Sequence, residues 1–317
     1  MLFLPLKEQR KLFNEKDAMA SLESFFKNDA EGFAPPRTHI EDSDNTLLLM
    51  PSFIEKNIGT KIVTVAPKNK EKHLPLINGL MTLYDRITGQ PYFLIEASYL
   101  TAVRTGAIGG LAIKHFSHKD STKLGVFGTG VQGESQCSAA LASRNIQEVY
   151  FHSRNLINVK NFKEKMSAKF PDVSFYPSSP EEIVTSCEII ITATNSSSPV
   201  LPYLNDDMWS GKMIVAVGSF RPNMTELPRQ LWDKATLIGT DTAAAWNESG
   251  DMLNAKSSGW GEKNAPLLSQ IIRGNETISA DDTIIFKSVG DPLFDVIVAS
   301  SLHKKARDHG IGEYMDL

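Results

Sequence analysis

Hydrophobic positions fall into two rhythms along the chain, and the change of rhythm divides it. From Glu15 to Asn28 the apolar residues Ala18, Met19, Leu22, Phe25 and Phe26 recur at helical spacing, which predicts a surface helix with one buried stripe. After Pro35-Pro36 come four apolar runs at short intervals, Thr46 to Phe53, Thr60 to Ala66, Gly79 to Tyr84 and Pro91 to Glu96. Turns at Asn57/Gly59, Asn69 to Lys72 and Asp85 to Gly89 separate them, so they read as a meander or small mixed sheet. Ser98 has the character of an N-cap for a helix from about Tyr99 to Phe116. The small residues Ala102, Ala107, Gly109 and Gly110 on that helix call for close packing, a cofactor being one candidate neighbour. The opening Met-Leu-Phe-Leu-Pro-Leu-Lys is broken too early by Pro5 for a signal peptide and reads as an edge strand or dimer-facing segment.

From Lys123 onward strands alternate with helical stretches. The strand candidates are Lys123–Phe127, Glu148–His152, Val173–Tyr176, Glu188–Thr192, Met213–Gly218, Thr236–Gly239 and Thr283–Val289. That alternation predicts an α/β fold, a Rossmann-type doubly wound and mostly parallel sheet, beside a smaller α+β domain. Asp291 to Arg307 has an amphipathic helical pattern, so the C-terminal segment 291–317 is expected to pack back on the first domain. The expected division is therefore 1–115 for substrate binding and dimerisation and 116–290 for nucleotide binding. No long flexible linker separates them, which favours a rigid cleft.

The first strand of the second domain breaks into Gly128-Thr-Gly130-Val-Gln-Gly133 and a helical run follows to Ser143. Each glycine has a distinct task in a dinucleotide-binding turn. Gly128 allows the tight turn, Gly130 lets the backbone approach a pyrophosphate, and Gly133 lets the helix pack on the strand. Free N–H groups at the helix start, with Val131 and Gln132, then face the phosphates. Glycine-rich turns are common, but the strand before this one and the strand at Glu148–His152 supply the required context.

An acidic residue at the end of the second strand holds the adenosine ribose in NAD-selective sites, and here the chain has His152-Ser153-Arg154-Asn155. Ser153 and Arg154 are therefore candidates at the adenosine end, Arg154 able to stack on adenine or pair with a 2′-phosphate. The site leans toward NADPH, with NADH also accepted; the bland reading of Arg154 is a solvated loop arginine. In Thr192-Ala-Thr-Asn-Ser-Ser197 the groups of Thr192, Thr194 and Asn195 could line the nicotinamide side, or form an ordinary polar turn.

Composition narrows the partners. The 317 residues suffice for two cores, and no transmembrane run appears, so a cytoplasmic protein without membrane partners is expected. A net charge of −4 argues against general nucleic-acid affinity. The two cysteines, Cys137 and Cys187, lack metal-ligand spacing and read as buried small residues. The seven histidines form no HxxxH or HxH pair, which leaves a metal site without support.

Leu100-Thr-Ala-Val-Arg-Thr-Gly-Ala107, upstream of the glycine turn, resembles the signature of the ornithine cyclodeaminase/μ-crystallin family. Thr46-Leu-Leu-Leu-Met-Pro51, Lys61-Ile-Val63 and Asp85-Arg-Ile-Thr-Gly-Gln-Pro91 agree with it, as do Val217-Gly-Ser-Phe-Arg-Pro222 with Glu226-Leu227, and Ser288-Val-Gly290 with Asp295. The match runs in order over nearly the whole chain. It implies a homodimer and chemistry at an imine carbon next to a carboxylate. It also carries Thr105, Val217, Gly218, Ser219 and Gly290 to the cofactor site, and Arg37, Lys61 and Arg104 to the substrate carboxylate, with Lys61 and Arg104 as catalytic residues.

The physics of those cations agrees, since an arginine grips a carboxylate through two parallel N–H bonds. Singly, Arg37 and Lys61 would more often be surface charges. Arg104 is flanked by small and apolar residues on a helix that ought to be buried, so it needs an anionic partner. One departure is informative. Cyclodeaminases of the family carry a proton-handling aspartate in Gly-Gly-Asp-Cys-Pro, and ungapped alignment puts Phe220 there. A phenyl ring accepts no proton; Phe220 is either an apolar wall beside the substrate or a core residue.

The resemblance thus points to NAD(P)H-dependent reduction of a cyclic imino acid, Δ1-pyrroline-2-carboxylate to L-proline, with the piperideine homologue as a second substrate. Lys61 or an ordered water would supply a proton if the imine does not bind protonated. The alternatives are an alanine dehydrogenase-like enzyme, a cyclodeaminase with a relocated acid, and a μ-crystallin-like protein that binds NADPH and a small carboxylate without turnover.

Overall fold

A computed structural model describes residues 1–72, 74–274 and 278–316, apart from the Lys70 side chain; Leu317, at the end of the expected C-terminal segment, lies outside them. The chain divides into two units, Met1–Arg104 with Asp291–Leu317, and Thr105–Gly290.

The first unit opens with β1 (Leu2–Leu4), α1 (Leu6–Leu12) and α2 (Glu15–Lys27). Asn14 starts α2 with a reciprocal cap, its Oδ1 accepting from the amides of Lys16 and Asp17 while Asp17 Oδ2 accepts from the Asn14 amide. Ala18, Met19, Leu22 and Phe26 form its buried stripe. Then follow β2 (Gly32–Phe33), β3 (Thr38–Asp42), β4 (Asn45–Ile54), β5 (Asn57–Val65), β6 (Ile77–Asp85), β7 (Pro91–Glu96) and α3 (Ala97–Phe116). Ser98 lies inside α3 rather than at its cap. Glu96, the last residue of β7, takes the capping position, accepting from the amides of Ser98 at 2.7 Å and Tyr99 at 3.2 Å.

The division between the units falls inside α3, at Arg104/Thr105, and not at the helix end near residue 115. The reason is the helix that follows the glycine turn. The second unit comprises β8 (Lys123–Phe127), α4 (Val131–Ser143), β9 (Glu148–His152), α5 (Leu156–Lys169), β10 (Ser174–Pro177), α6 (Pro180–Ser186), β11 (Ile189–Thr192) and β12 (Met213–Ala216). It continues through α7 (Arg229–Trp232), β13 (Leu237–Thr240), α8 (Ala245–Glu248), α9 (Gly250–Ser257), α10 (Leu268–Arg273) and β14 (Ile284–Lys287). A Cβ on Gly106 would stand 2.4 Å from Ser135 Oγ of α4, and one on Gly109 1.9 Å from Gln136 Oε1. Gln136 Nε2 also donates to the Thr105 carbonyl at 2.8 Å. Gly106 and Gly109 thus serve the packing of α3 on α4.

In the second unit the strands pair in parallel in the order β10-β9-β8-β11-β12-β14-β13. Strands buried on both faces read as unbroken apolar runs, as Ile189–Thr192 and Met213–Ala216 do. The order reverses between β8 and β11, and ligands of such sheets bind outside the strand C-termini at that reversal.

The chain returns to the first unit with α11 (Pro292–Asp308) and β15 (Glu313–Tyr314). The first sheet then runs β15-β1-β7-β6-β5-β4-β2, with β3 also on β4. β1 is therefore an interior strand, covered by β15, and not an edge. Period-2 alternation gives this sheet two faces. Met50, Lys61, Met81 and Ile95 pair across four strands and are all buried, whereas Leu49, Ile62 and Leu80 pair across the other face, where Ile62 and Leu80 are exposed. α11 lies on the buried face, close enough that a Cβ on Gly59 would meet Val296 Cγ2 at 2.2 Å. Among the described residues no helix is long and apolar enough to cross a membrane.

Candidate functional site

Strand alternation places Lys61 in the buried apolar row of the first unit, where an ammonium has little water to solvate it. Its Nζ lies 2.6 Å from Asp295 Oδ2 and donates to Thr101 Oγ1 at 3.4 Å. Asp295 stands in the first turn of α11, which Asp291 caps by accepting from the Leu293 amide at 2.8 Å. A carboxylate at that helix end is favoured by the macrodipole. Its other oxygen, Oδ1, accepts from Arg104 Nε at 3.0 Å. The anion that a buried Arg104 requires is therefore Asp295.

Lys61, Arg104 and Asp295 have side-chain exposures of 2%, 8% and 1%, so two buried cations share one buried carboxylate. Desolvation pushes the Lys61 pKa down to about 8; Asp295 opposes the shift, and the charges of Arg104 and Arg37 add to it. Burial works to raise the Asp295 pKa, yet Arg104 and Lys61 hold it below the ordinary carboxylate value. Arg37, just ahead of β3, belongs to the same neighbourhood, because its charge acts on Lys61. Among the described residues, Arg104 Nη1 and Nη2 make no hydrogen bond; Asp295 engages only Nε. The outer edge of the guanidinium is the edge that can present two parallel N–H groups to a carboxylate.

The glycine turn of the second unit meets the demands of a pyrophosphate cradle. Gly128 has φ +96°, and a Cβ there would lie 2.4 Å from the Ala193 carbonyl oxygen. A Cβ on Gly133 would stand 1.9 Å from the Gly128 oxygen, whereas one on Gly130 would meet no atom within 4 Å. The backbone is thus closed where helix meets strand and open where a phosphate would approach. α4 begins at Val131 with Gly130 as N-cap, which aims the amides of Val131, Gln132 and Gly133 outward from the helix end. These residues fit a dinucleotide.

At the end of β9, Arg154 is exposed and, among the described residues, has no partner. Asn155 caps α5 with its Oδ1, accepting from the amides of Ile157 and Asn158, and Ser153 Oγ accepts weakly from the Asn155 amide. No carboxylate stands between His152 and Asn155.

Most polar side chains after β11 and β12 turn inward. Thr192 is fully buried and its Oγ1 donates to Glu226 Oε2 at 2.9 Å; Thr194 Oγ1 donates to Glu226 Oε1 at 2.8 Å. Ser219 is equally buried and donates to the Met224 carbonyl at 2.6 Å. These hydroxyls face inward and brace the loops. Val217 and Gly218 are buried as well, and the Gly218 amide is committed to Glu226. The Gly290 amide is likewise engaged, donating to Asp241 Oδ2 at 2.7 Å alongside Ser288 Oγ and the Val289 amide. What these loops turn to the surface is the half-buried backbone near Thr194, the exposed Asn195 and Phe220. Phe220 is not a core residue: it is 45% exposed, with the Arg221 guanidinium 5.6 Å from its ring centre.

Sequence reasoning assigns no role to Asp295, Glu226, Asp251, Asp241 or Lys287. All five are buried ionisable residues. A signal exists for Lys287, which ends the apolar strand Ile284-Ile-Phe-Lys287, and for Asp295, set between Phe294 and Val296.

The ornithine cyclodeaminase/mu-crystallin family model matches residues 4–310. A Δ(1)-pyrroline-2-carboxylate reductase of Bacillus cereus is 36% identical, with all of both chains covered. An alanine dehydrogenase of Archaeoglobus fulgidus is 30% identical over 98% of this chain and 97% of its own. The solved structure of Thermococcus litoralis Δ(1)-pyrroline-2-carboxylate reductase in complex with NADH and L-proline has a TM-score of 0.89 at 32% identity, covering 99% of this chain and 100% of that one. A match over residues 4–310, together with relatives at 30% identity or more over almost the whole chain, shows that the chain belongs to the ornithine cyclodeaminase/μ-crystallin family.

Proposed function

We propose that the protein reduces a cyclic imine carboxylate, Δ1-pyrroline-2-carboxylate to L-proline, using NADPH or NADH, with Δ1-piperideine-2-carboxylate as a second substrate. The observation that carries this is the buried pair of cations on a single carboxylate. Lys61 and Arg104 divide Asp295 between them, which leaves positive charge that a substrate carboxylate would balance. The relatives named for Δ(1)-pyrroline-2-carboxylate reduction support the choice of ring, and the alanine dehydrogenase relative makes reductive amination of pyruvate the reading to test against it.

Reduction adds a hydride to the imine carbon and a proton to the ring nitrogen. The nicotinamide cofactor, when bound, supplies the hydride. Arg104, with Arg37, would hold the carboxylate plane and so fix which ring face is presented; such orientation supplies much of the acceleration in hydride transfer. Lys61 would hold the proton for the ring nitrogen. A group with a pKa of about 8 is protonated at neutral pH yet gives up its proton more readily than an ordinary lysine. Phe220 has no proton to exchange, which fits reduction better than deaminating ring closure.

The cofactor half of the proposal rests on Gly128, Gly130 and Gly133 and on Arg154. Arg154→Ala is expected to weaken NADPH binding about tenfold and NADH binding hardly at all, because only NADPH carries the 2′-phosphate. Equal losses for the two cofactors would remove Arg154 from phosphate recognition.

Self-association belongs to the same proposal. The open face of the first sheet exposes Ile62, Leu80 and Ile40, an apolar surface of the kind that marks an interface. The archaeal alanine dehydrogenase with bound NAD that this chain resembles at 27% identity is described as a dimer. Light scattering should give about twice the 35.0 kDa chain mass; a single-chain mass at micromolar concentration would overturn the assignment.

The chemical test is product identification. Chiral chromatography after incubation with the cyclic imine and NADPH should show L-proline in amounts equal to cofactor oxidised. Binding of both compounds without product would instead favour a carrier role.

A further inference from the structure

Glu226 lies in the loop that joins β12 to α7, the loop that also carries Gly218; it is completely buried, and hydride-transfer chemistry gives it no task. Four donors converge on its carboxylate. Oε1 accepts from the Thr194 amide at 2.6 Å and from Thr194 Oγ1 at 2.8 Å; Oε2 accepts from Thr192 Oγ1 at 2.9 Å and from the Gly218 amide at 2.7 Å. The donors come from two different loops, one leaving β11 and the other leaving β12. The loops also touch directly, because a Cβ on Gly218 would stand 2.0 Å from the Thr194 carbonyl oxygen.

Glu226 is itself held from behind. Asp251 Oδ1 accepts from the amides of Glu226 at 3.0 Å and Leu227 at 3.2 Å, and the Asp251 amide donates to Ser219 Oγ at 3.2 Å. Lys287 Nζ, fully buried, lies 3.9 Å from Asp251 Oδ2. This is a chain of buried polar contacts running from β14 to the ends of β11 and β12.

In a doubly wound sheet the first mononucleotide half, here β8 to β10, carries the adenosine, and the strands beyond the reversal, here β11 and β12, carry the other end of the dinucleotide. We infer that Glu226 is a positioning residue, a buried carboxylate clamp that fixes the Thr194 and Gly218 loops so that they hold the nicotinamide ring for transfer. The inference rests on the cofactor reading proposed above and adds to it the device that sets the ring's place. An amide cannot replace the carboxylate. In either orientation, Glu226→Gln would turn its NH2 toward the amide of Thr194 or of Gly218, leaving a buried N–H without an acceptor.

The test compares NADH with ADP-ribose, which has the adenosine and pyrophosphate but no nicotinamide. Binding of each to the full chain is measured by calorimetry, alongside kcat with the cyclic imine. For Glu226→Gln, kcat and NADH affinity should each fall about ten- to a hundredfold, the scale set by one unsatisfied buried donor, while ADP-ribose affinity stays within about twofold of wild type. Thr194→Val, which deletes one of the four donors and keeps the backbone bond, should move both quantities the same way by a smaller factor; it decides the matter alone if Glu226→Gln does not fold. Unchanged NADH affinity and kcat, or equal losses for NADH and ADP-ribose, would overturn the clamp. A wild-type protein that binds no NADH would instead speak against the cofactor reading itself.

Discussion

Arg104→Ala is expected to lower kcat/KM for the cyclic imine by about a thousandfold or more, with NADPH affinity unchanged within about threefold. The first figure corresponds to about 4 kcal/mol, within the range measured when one partner of a buried, charge-assisted pair is removed. The arginine is asked to do two things at once. Its Nε holds Asp295, and its outer edge would hold the substrate carboxylate. Arg104→Lys should recover little, because an ammonium cannot serve both partners from one plane. Some stability is lost too, about 3 kcal/mol, since Asp295 keeps Lys61 as a counter-ion but loses the other. Titration of NADPH by its fluorescence, on protein shown to be folded, separates the two effects. Near-normal kcat/KM would remove Arg104 from the substrate site.

Asp295→Asn is expected to have the second largest effect, and the direction of its pH dependence is specific. In the wild type Lys61 is charged below about pH 8, so if it supplies the proton, kcat/KM should fall about tenfold per pH unit above that value. Asp295 is what opposes the desolvation of Lys61, through its charge and its hydrogen bond. Its removal moves the alkaline limb to lower pH and destabilises the fold by about 3–5 kcal/mol, because two buried cations lose their shared carboxylate. Lys61→Met should show a low plateau with no alkaline limb. The same group marks stability. With a folded pKa of about 8 against 10.5 for the free side chain, the unfolded chain binds more protons between those values, so the wild type should gain stability relative to Lys61→Met as pH rises through that window. A limb that stays in place in Asp295→Asn would show that another group controls it.

The parallel strands are legible because burial on both faces leaves no choice of residue. Lys123–Phe127, buried from Leu124 onward, has the same limits in the sequence pattern and in the structure, and so has Glu148–His152, which shows itself instead by alternation of buried and half-buried positions. β3 is not, because all five of its residues are exposed and only pairing with β4 makes it a strand. The two-residue strands β2 and β15 likewise exist through their partners. Glu96 is hard to foresee as a cap because it belongs to the preceding strand, and Ser98 has the more familiar capping side chain.

The site divides in the same way. Three glycines with three different steric demands can be read locally, and Arg104 betrays itself by its apolar neighbours. Its pairing with Asp295 cannot be read so, because Asp295 lies 191 residues further along. The hydroxyls of Thr192 and Thr194 are visible as polar groups at a strand end, but nothing in that stretch tells that Glu226, 34 and 32 residues away, turns them inward.

Initial rates of reduced-cofactor loss distinguish an imine already closed into a ring from one that must form from a keto acid and ammonia. Freshly generated Δ1-pyrroline-2-carboxylate without ammonia should be reduced rapidly, and far faster than pyruvate with ammonia. Turnover confined to pyruvate plus ammonia, or ammonia release from ornithine with no net loss of NADPH, would contradict reduction of the ring-closed imine.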